Sequence, residues 1–160
     1  MNNVSISSQA AGASGVQYLS FSLAGEEYAV DILRVQEIRG ICPITVLPHS
    51  PPSVRGVMNL RGAVVPVVDM RAALGLPPQE YDQFTVIIVL SVRGRTMGFV
   101  VDSVSDVLSL ETSAIERAPE LGGRVDASLV CGIARAQERF VILLDVDRVA
   151  GVDVDVQAAT

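Results

Sequence analysis

The sequence predicts a mainly β protein of two small barrels in tandem. Three observations carry that prediction: an aliphatic, β-branched composition, an internal repeat, and turn signals that cut the apolar pattern into about ten short pieces. Hydrophobic residues make up 49% of the 160-residue chain and aromatics only 4%, so the core is built of Val, Ile, Leu and Ala. Val and Ile are stiff at the first side-chain torsion and pack well on a pleated surface. They crowd the segments 63–70, 85–92, 99–107 and 140–146. The repeat lays GVMNLRGAVVPVVDMRAALG (Gly56 to Gly75) on GIARAQERFVILLDVDRVAG (Gly132 to Gly151) without a gap. Gly56 stands over Gly132, Asp69 over Asp145 and Gly75 over Gly151, each 76 residues apart.

Residues 1–15 are polar and small and read as a disordered lead-in. The first apolar alternation, Tyr18 to Ile32, turns at Gly25, as a hairpin requires. Its weaker echo, Val86 to Val104, turns at Arg93-Gly94-Arg95, with Asp31 answered by Asp102 after a small insertion. A second hairpin in each unit comes from the strong repeat. Asp31, Asp69 and Asp145 each precede a short segment with helical apolar spacing and are expected to cap it through the side-chain oxygen. Gly75 and Gly151 are the expected stops of the last two. The folded region is therefore 16–151, with the first barrel mainly 16–80 and the second mainly 81–151, joined near Leu76 to Asp82, and 152–160 is a tail. Many short strands closed by such small helices favour paired barrels over a parallel sheet.

Net charge is −6, and no run of basic residues tracks a phosphate backbone, so no nucleic-acid partner is expected. All twelve basic residues are arginine, whose planar fork suits protein interfaces. Cys42 and Cys131 are far apart, with no CxxC and a single histidine, so neither a zinc site nor a disulfide framework is indicated. They read as reduced thiols. No stretch has the apolar length of a membrane helix and the amino terminus lacks a secretory pattern, so a soluble, untargeted protein is expected.

Asp69 and Asp145 could form a carboxylate pair for acid and base work, but the capping position explains them better. Cys42 and His49 lack an orienting third residue, and the glycines form no phosphate loop, so no catalytic or cofactor-binding residues are assigned. The segment VQEIRG is more specific. Strand alternation puts Val35, Glu37 and Arg39 on one face, which is either a polar recognition groove or a plain solvated face. In NLRG, Arg61 before Gly62 either decorates a turn or joins that groove. Its counterpart in the second copy is Gln137 before Glu138.

EEYAVDILRVQEIRG (Glu26 to Gly40), GVMNLRGAVVPVVDMR (Gly56 to Arg71), VVDSVSDVLSL (Val100 to Leu110) and the connector RAPE (Arg117 to Glu120) resemble, in order, the blocks of the CheW family across roughly residues 17–150. The resemblance implies two five-stranded SH3-like barrels around a shared interior. It also implies an adaptor, not an enzyme, that needs no cofactor and couples methyl-accepting chemoreceptors to the histidine kinase CheA in cytoplasmic, membrane-associated arrays. On matching positions it implies a receptor-binding groove at Val35, Glu37, Arg39, Gly56, Asn59, Arg61, Val104 and Val107. Kinase contacts are implied at an apolar patch on the end of each barrel. The loop LPHSPPSVRG departs from the family by its prolines. Other readings stay open: an adaptor of a chemosensory-like pathway driving pili or another output, a small β-barrel enzyme using Asp69, Asp145 or Cys42, or a ligand-binding barrel.

Overall fold

The alternation that begins at Val16 opens the first strand, and the computed structural model describes residues 15–116, 127–136 and 138–150. These residues form β1 (Val16–Leu23), β2 (Glu26–Asp31), β3 (Val35–Gly40), β4 (Val54–Leu60), β5 (Ala63–Asp69), β6 (Val86–Val92), β7 (Arg95–Val101), β8 (Ser103–Leu110), β9 (Ile115–Glu116), β10 (Val130–Ala136) and β11 (Arg139–Leu144). Helical pieces are short: 3-10 turns at Ile32–Arg34, Thr112–Ala114 and Ala127–Leu129, an α-turn at Met70–Ala73, and helical residues at 146–150. The connector Arg117–Glu120, the Gly122–Gly123 pair, Gln137 and Gly151 lie outside the described residues.

Three hairpins use one solution. Ala24-Gly25, Arg61-Gly62 and Arg93-Gly94 are two-residue loops in which both residues have positive φ, between 52° and 89°. Such turns match the right-handed twist of the strands they join, and glycine takes the second position at no steric cost. Asp31 accepts from the Leu33 N–H, Asp69 from the Arg71 N–H, and Asp145 from the N–H groups of Asp147 and Arg148, so each caps the turn after it.

The strands form two sheets, ordered β8-β1-β2-β11-β10-β9 and β3-β6-β7-β5-β4. All neighbours are antiparallel except β2 with β11 and β5 with β7. Sheet membership does not follow the division of the chain into 16–80 and 81–151. The five-stranded sheet is the contiguous stretch β3 to β7, and the six-stranded sheet joins the opening hairpin β1-β2 to everything from β8 onward. The physical reason lies at two crossings. Between β7 and β8 stands Asp102 alone, too few residues to fold back beside the strand just made, since hairpin loops take two or more. The chain therefore continues into the other sheet. Between β2 and β3 the 3-10 turn Ile32–Arg34 redirects it in the same way.

The repeat survives this exchange. β4, β5 and Met70–Ala73 recur 76 residues later as β10, β11 and the helical residues 146–150. β1, β2 and β3 recur 69 residues later as β6, β7 and β8, so the weaker echo needs no insertion. Asp102 consequently does not occupy the place of Asp31. The parallel pairs also correspond: Val67 lies opposite Gly98 and Leu143 opposite Ala29.

Three apolar clusters result. The largest lies between the sheets, where Phe21, Tyr28, Val30, Ile88, Leu90 and Phe99 meet Met70, Leu74 and Val149 from the helical turns. Burial of each large side chain contributes about 1.5–3 kcal/mol, which makes this shared layer the main bond between the halves. Met58, Leu60, Val67, Ile87 and Val89 fill the five-stranded sheet, and Ala29, Leu110, Ala134, Val141 and Leu143 the six-stranded one.

Candidate functional site

β3 and β4 are the two ends of the five-stranded sheet, and a charged cluster bridges them. Glu37 on β3 accepts from Arg61 Nη1 at 2.8 Å through Oε1 and from Arg39 Nη1 at 3.2 Å through Oε2. Arg61 sits in the β4-β5 turn with φ 52°. That turn is fixed by Asn59 Oδ1, which accepts from the Gly62 N–H at 2.8 Å. Glu37 and Arg39 lie opposite Val89 and Ile87, members of the interior cluster, and so belong to the inner face of the sheet. The Arg61 hydrogen bond holds the Glu37 carboxyl below its usual range, against the opposing effect of burial and with help from Arg39. The Arg61 side chain keeps 68% of its surface exposed and Glu37 only 27%. A pair this wet adds little to stability; what it supplies is a half-sheltered carboxylate with a solvent-exposed cation over it.

The valines occupy a different face. A β-bulge between Val35 and Glu37 sets Val35 opposite Leu90, while Glu37 lies opposite Val89. Cross-strand partners share a face and adjacent residues do not. Val35 therefore packs on the shared layer between the sheets and is turned away from Glu37 and Arg39, which corrects the simple alternation read from VQEIRG. The equivalent irregularity in β8 sets Val104 opposite Phe21 and Val107 opposite Leu19, so both also border the shared layer. Ile38, opposite Ile88 and 45% exposed, completes the arrangement. Val35 with Ile38 on β3 corresponds to Val104 with Val107 on β8 at the 69-residue offset, and this offset was the signal in the sequence that could have found Ile38. Two half-covered apolar edges thus flank the layer between the barrels.

Gly56 belongs to neither group. Its φ is 145°, and a Cβ there would stand 2.0 Å from the Thr45 carbonyl oxygen, whose residue bridges Val57. Gly132, its repeat partner, likewise lies against Glu116. Cys42 places its sulfur 3.8 Å from Met58 Sδ, and His49 is exposed in its loop. Among the described residues no group of three His, Cys, Asp or Glu side chains is placed to hold a metal ion, and no helix is long and apolar enough to cross a membrane.

Comparison with known proteins adds the family. The model of the CheW-like domain matches residues 17–153. A chemotaxis protein CheW of Klebsiella aerogenes is 42% identical over 134 residues, covering 84% of this chain and 81% of that protein. The chemotaxis protein CheW of Bacillus subtilis is 35% identical, covering 84% and 86%. Among solved structures, the scaffolding protein TtCheW from Thermoanaerobacter tengcongensis superposes with a TM-score of 0.78 at 30% identity, covering 84% of this chain and 87% of that one. The two sheets are accordingly two SH3-like β-domains.

Proposed function

From the premise that the chain belongs to the CheW-like family and is a chemotaxis scaffolding protein, we propose that it couples methyl-accepting chemoreceptors to the histidine kinase CheA in arrays beneath the membrane. No bond is made or broken in that role. The receptor end of the bridge is the region between the barrels, where a receptor helix would lie as a helix in a groove. The observation that carries this reading is the Glu37–Arg61 cluster on β3, a strand whose other face turns Val35 and Ile38 to the layer between the sheets. Val35, Val104 and Val107 supply area, at about 25 cal/mol per Å² removed from water. Arg61, tethered to Glu37 but mostly in solvent, can turn to a receptor carboxylate and so set register. Gly56 and Asn59 act beneath it by holding β4 and the turn in place, and Arg39 by sharing Glu37.

For the kinase end, two of the large exposed apolar residues stand at repeat-equivalent places, one on each barrel: Val64 at the start of β5 and Phe140 at the start of β11, 74% and 62% exposed. We assign these as the centres of two kinase-facing patches. One on each barrel lets the adaptor meet two kinase domains head to tail, the arrangement from which rings close.

The test uses purified protein, a receptor signalling fragment and the kinase regulatory domain from the same organism. Arg61→Glu and Glu37→Arg should each weaken receptor binding at least about tenfold, roughly 1.4 kcal/mol, with circular dichroism unchanged and kinase binding retained. Phe140→Ser should do the reverse. Receptor binding that is unmoved in both charge variants would refute the groove assignment.

A further inference from the structure

The two crossings at which the chain changes sheets each carry a forked arginine–carboxylate pair, and the polarity of the pairs is inverted. At the first, Arg34 in the 3-10 turn between β2 and β3 binds Asp147 of the closing helical turn through Nη1–Oδ1 and Nη2–Oδ2, both 2.9 Å. At the second, Asp102 between β7 and β8 accepts from Arg71 of the other helical turn, Nε to Oδ1 at 2.8 Å and Nη2 to Oδ2 at 2.6 Å. Arg71 and Asp147 are the same position of the 76-residue repeat, so the helix supplies the cation on one side and the anion on the other. Each carboxylate also takes a hydrogen bond from a hairpin turn: Asp102 from the Ala24 N–H and Asp147 from the Arg93 N–H, again equivalent positions, 69 apart. Arg34 further donates to the Ser91 carbonyl, and Arg71 to Pro77 and Gln79 in the link between the repeats.

Each pair lies at the end of one barrel and reaches the other through a backbone hydrogen bond, Arg34 to the Ser91 carbonyl and the Ala24 N–H to Asp102. Arg34 and Asp147 connect the exit of the six-stranded sheet's hairpin and that sheet's closing turn to the β6-β7 hairpin of the five-stranded sheet. Arg71 and Asp102 connect the closing turn of the five-stranded sheet to the β1-β2 hairpin of the six-stranded one. The residues just after them in the chain are the groove valines: Val35 is next to Arg34, and Val104 is two beyond Asp102. Forked pairs fix orientation as well as distance.

We propose that Arg34–Asp147 and Arg71–Asp102 are two latches of opposite polarity that fix the relative placement of the barrels and thereby position Val35 and Val104 for the receptor helix. They act through the valines and do not touch the receptor. The binding part of this inference rests on the groove reading above; the placement part does not.

The half-exposed latch is the one to test, because Arg71 is buried to 8% side-chain exposure and its loss also frees the linker. In full-length protein with Cys42→Ala and Cys131→Ser, spin labels at Val64→Cys and Phe140→Cys report the distance between barrels. The parent background should give one narrow distribution. Arg34→Gln and Asp147→Asn should each broaden it at least twofold, and Arg34→Lys, which keeps the charge and a donor for the Ser91 carbonyl, should bring the width part of the way back toward the parent. Unlabelled Arg34→Gln and Asp147→Asn should bind the receptor fragment several-fold more weakly while holding the kinase domain as the parent does, and Arg34→Lys should recover part of the loss. Equal widths in all four proteins would overturn the latch. Widths that respond in a parent that does not bind receptor would leave the latch standing and overturn the groove reading instead.

Discussion

Asp145 accepts from two N–H groups and Asp69 from one. Replacing either with Ala should lower stability by about 1 kcal/mol and the melting temperature by a few degrees, with receptor and kinase binding unaffected, readable by calorimetric scanning and pull-down. The carboxylates also set the acid response. Asp147 is held below its ordinary value by the Arg34 hydrogen bond against the effect of burial. Burial pushes Asp102 up, but Arg71 and the Ala24 N–H together outweigh it and hold the carboxyl low. Glu37 is lowered chiefly by Arg61. A carboxylate whose folded value is depressed adds stability that is present above its unfolded value and lost as pH falls through the folded one. Urea midpoints should therefore be flat near neutrality and decline from about pH 5 downward; a midpoint constant to about pH 3 would show that these pairs contribute nothing. At this scale the sequence was partly legible. Capping aspartates are betrayed by the apolar spacing of the next few residues, whereas Arg34 and Asp147 are 113 residues apart and nothing local couples them.

At the scale of elements, two glycines decide how the second hairpin of each unit meets a neighbour. A Cβ at Gly56 would collide with the Thr45 carbonyl, and one at Gly132 with Ile115 and Glu116, at 2.7 Å and 2.8 Å. Gly56→Ala should cost about 2 kcal/mol or more, because the obstacle is backbone and φ is positive, and hydrogen exchange at Val57 should speed up as its bridge to Thr45 opens. Gly132→Ala should be milder, since one obstacle is a side-chain methyl that can move. The repeat made this equivalence visible in the sequence. The bulges in β3 and β8 were not visible, because one extra residue in a strand leaves composition unchanged and only the partner strand reveals it. They move Val35 to the face opposite Glu37.

Across the whole molecule, the mainly β class and the pair of barrels were written in the composition and the repeat. The exchange of opening hairpins was not, since a hairpin looks alike whichever sheet receives it; the single residue between β7 and β8 was its only trace. The exchange predicts that fragments cut at the repeat boundary will fail. Residues 16–80 and 81–151 expressed separately should be unstructured by circular dichroism, because each leaves both sheets incomplete and the shared layer exposed, and mixing them should restore the β signal. A fragment 16–80 that folds alone would contradict the exchanged topology.

That topology also sets an order of birth. On the ribosome β1 and β2 leave the exit tunnel first, yet their lateral partners β8 and β11 are among the last strands made. The stretch from β3 to β7 can close as soon as Val101 has emerged, while the older hairpin waits beside it. At about 5–20 residues per second the chain from Val101 to Leu144, the end of β11, takes roughly two to nine seconds to follow. During that interval the nascent chain carries a finished barrel and an unclaimed hairpin, and the youngest strands complete the work of the oldest.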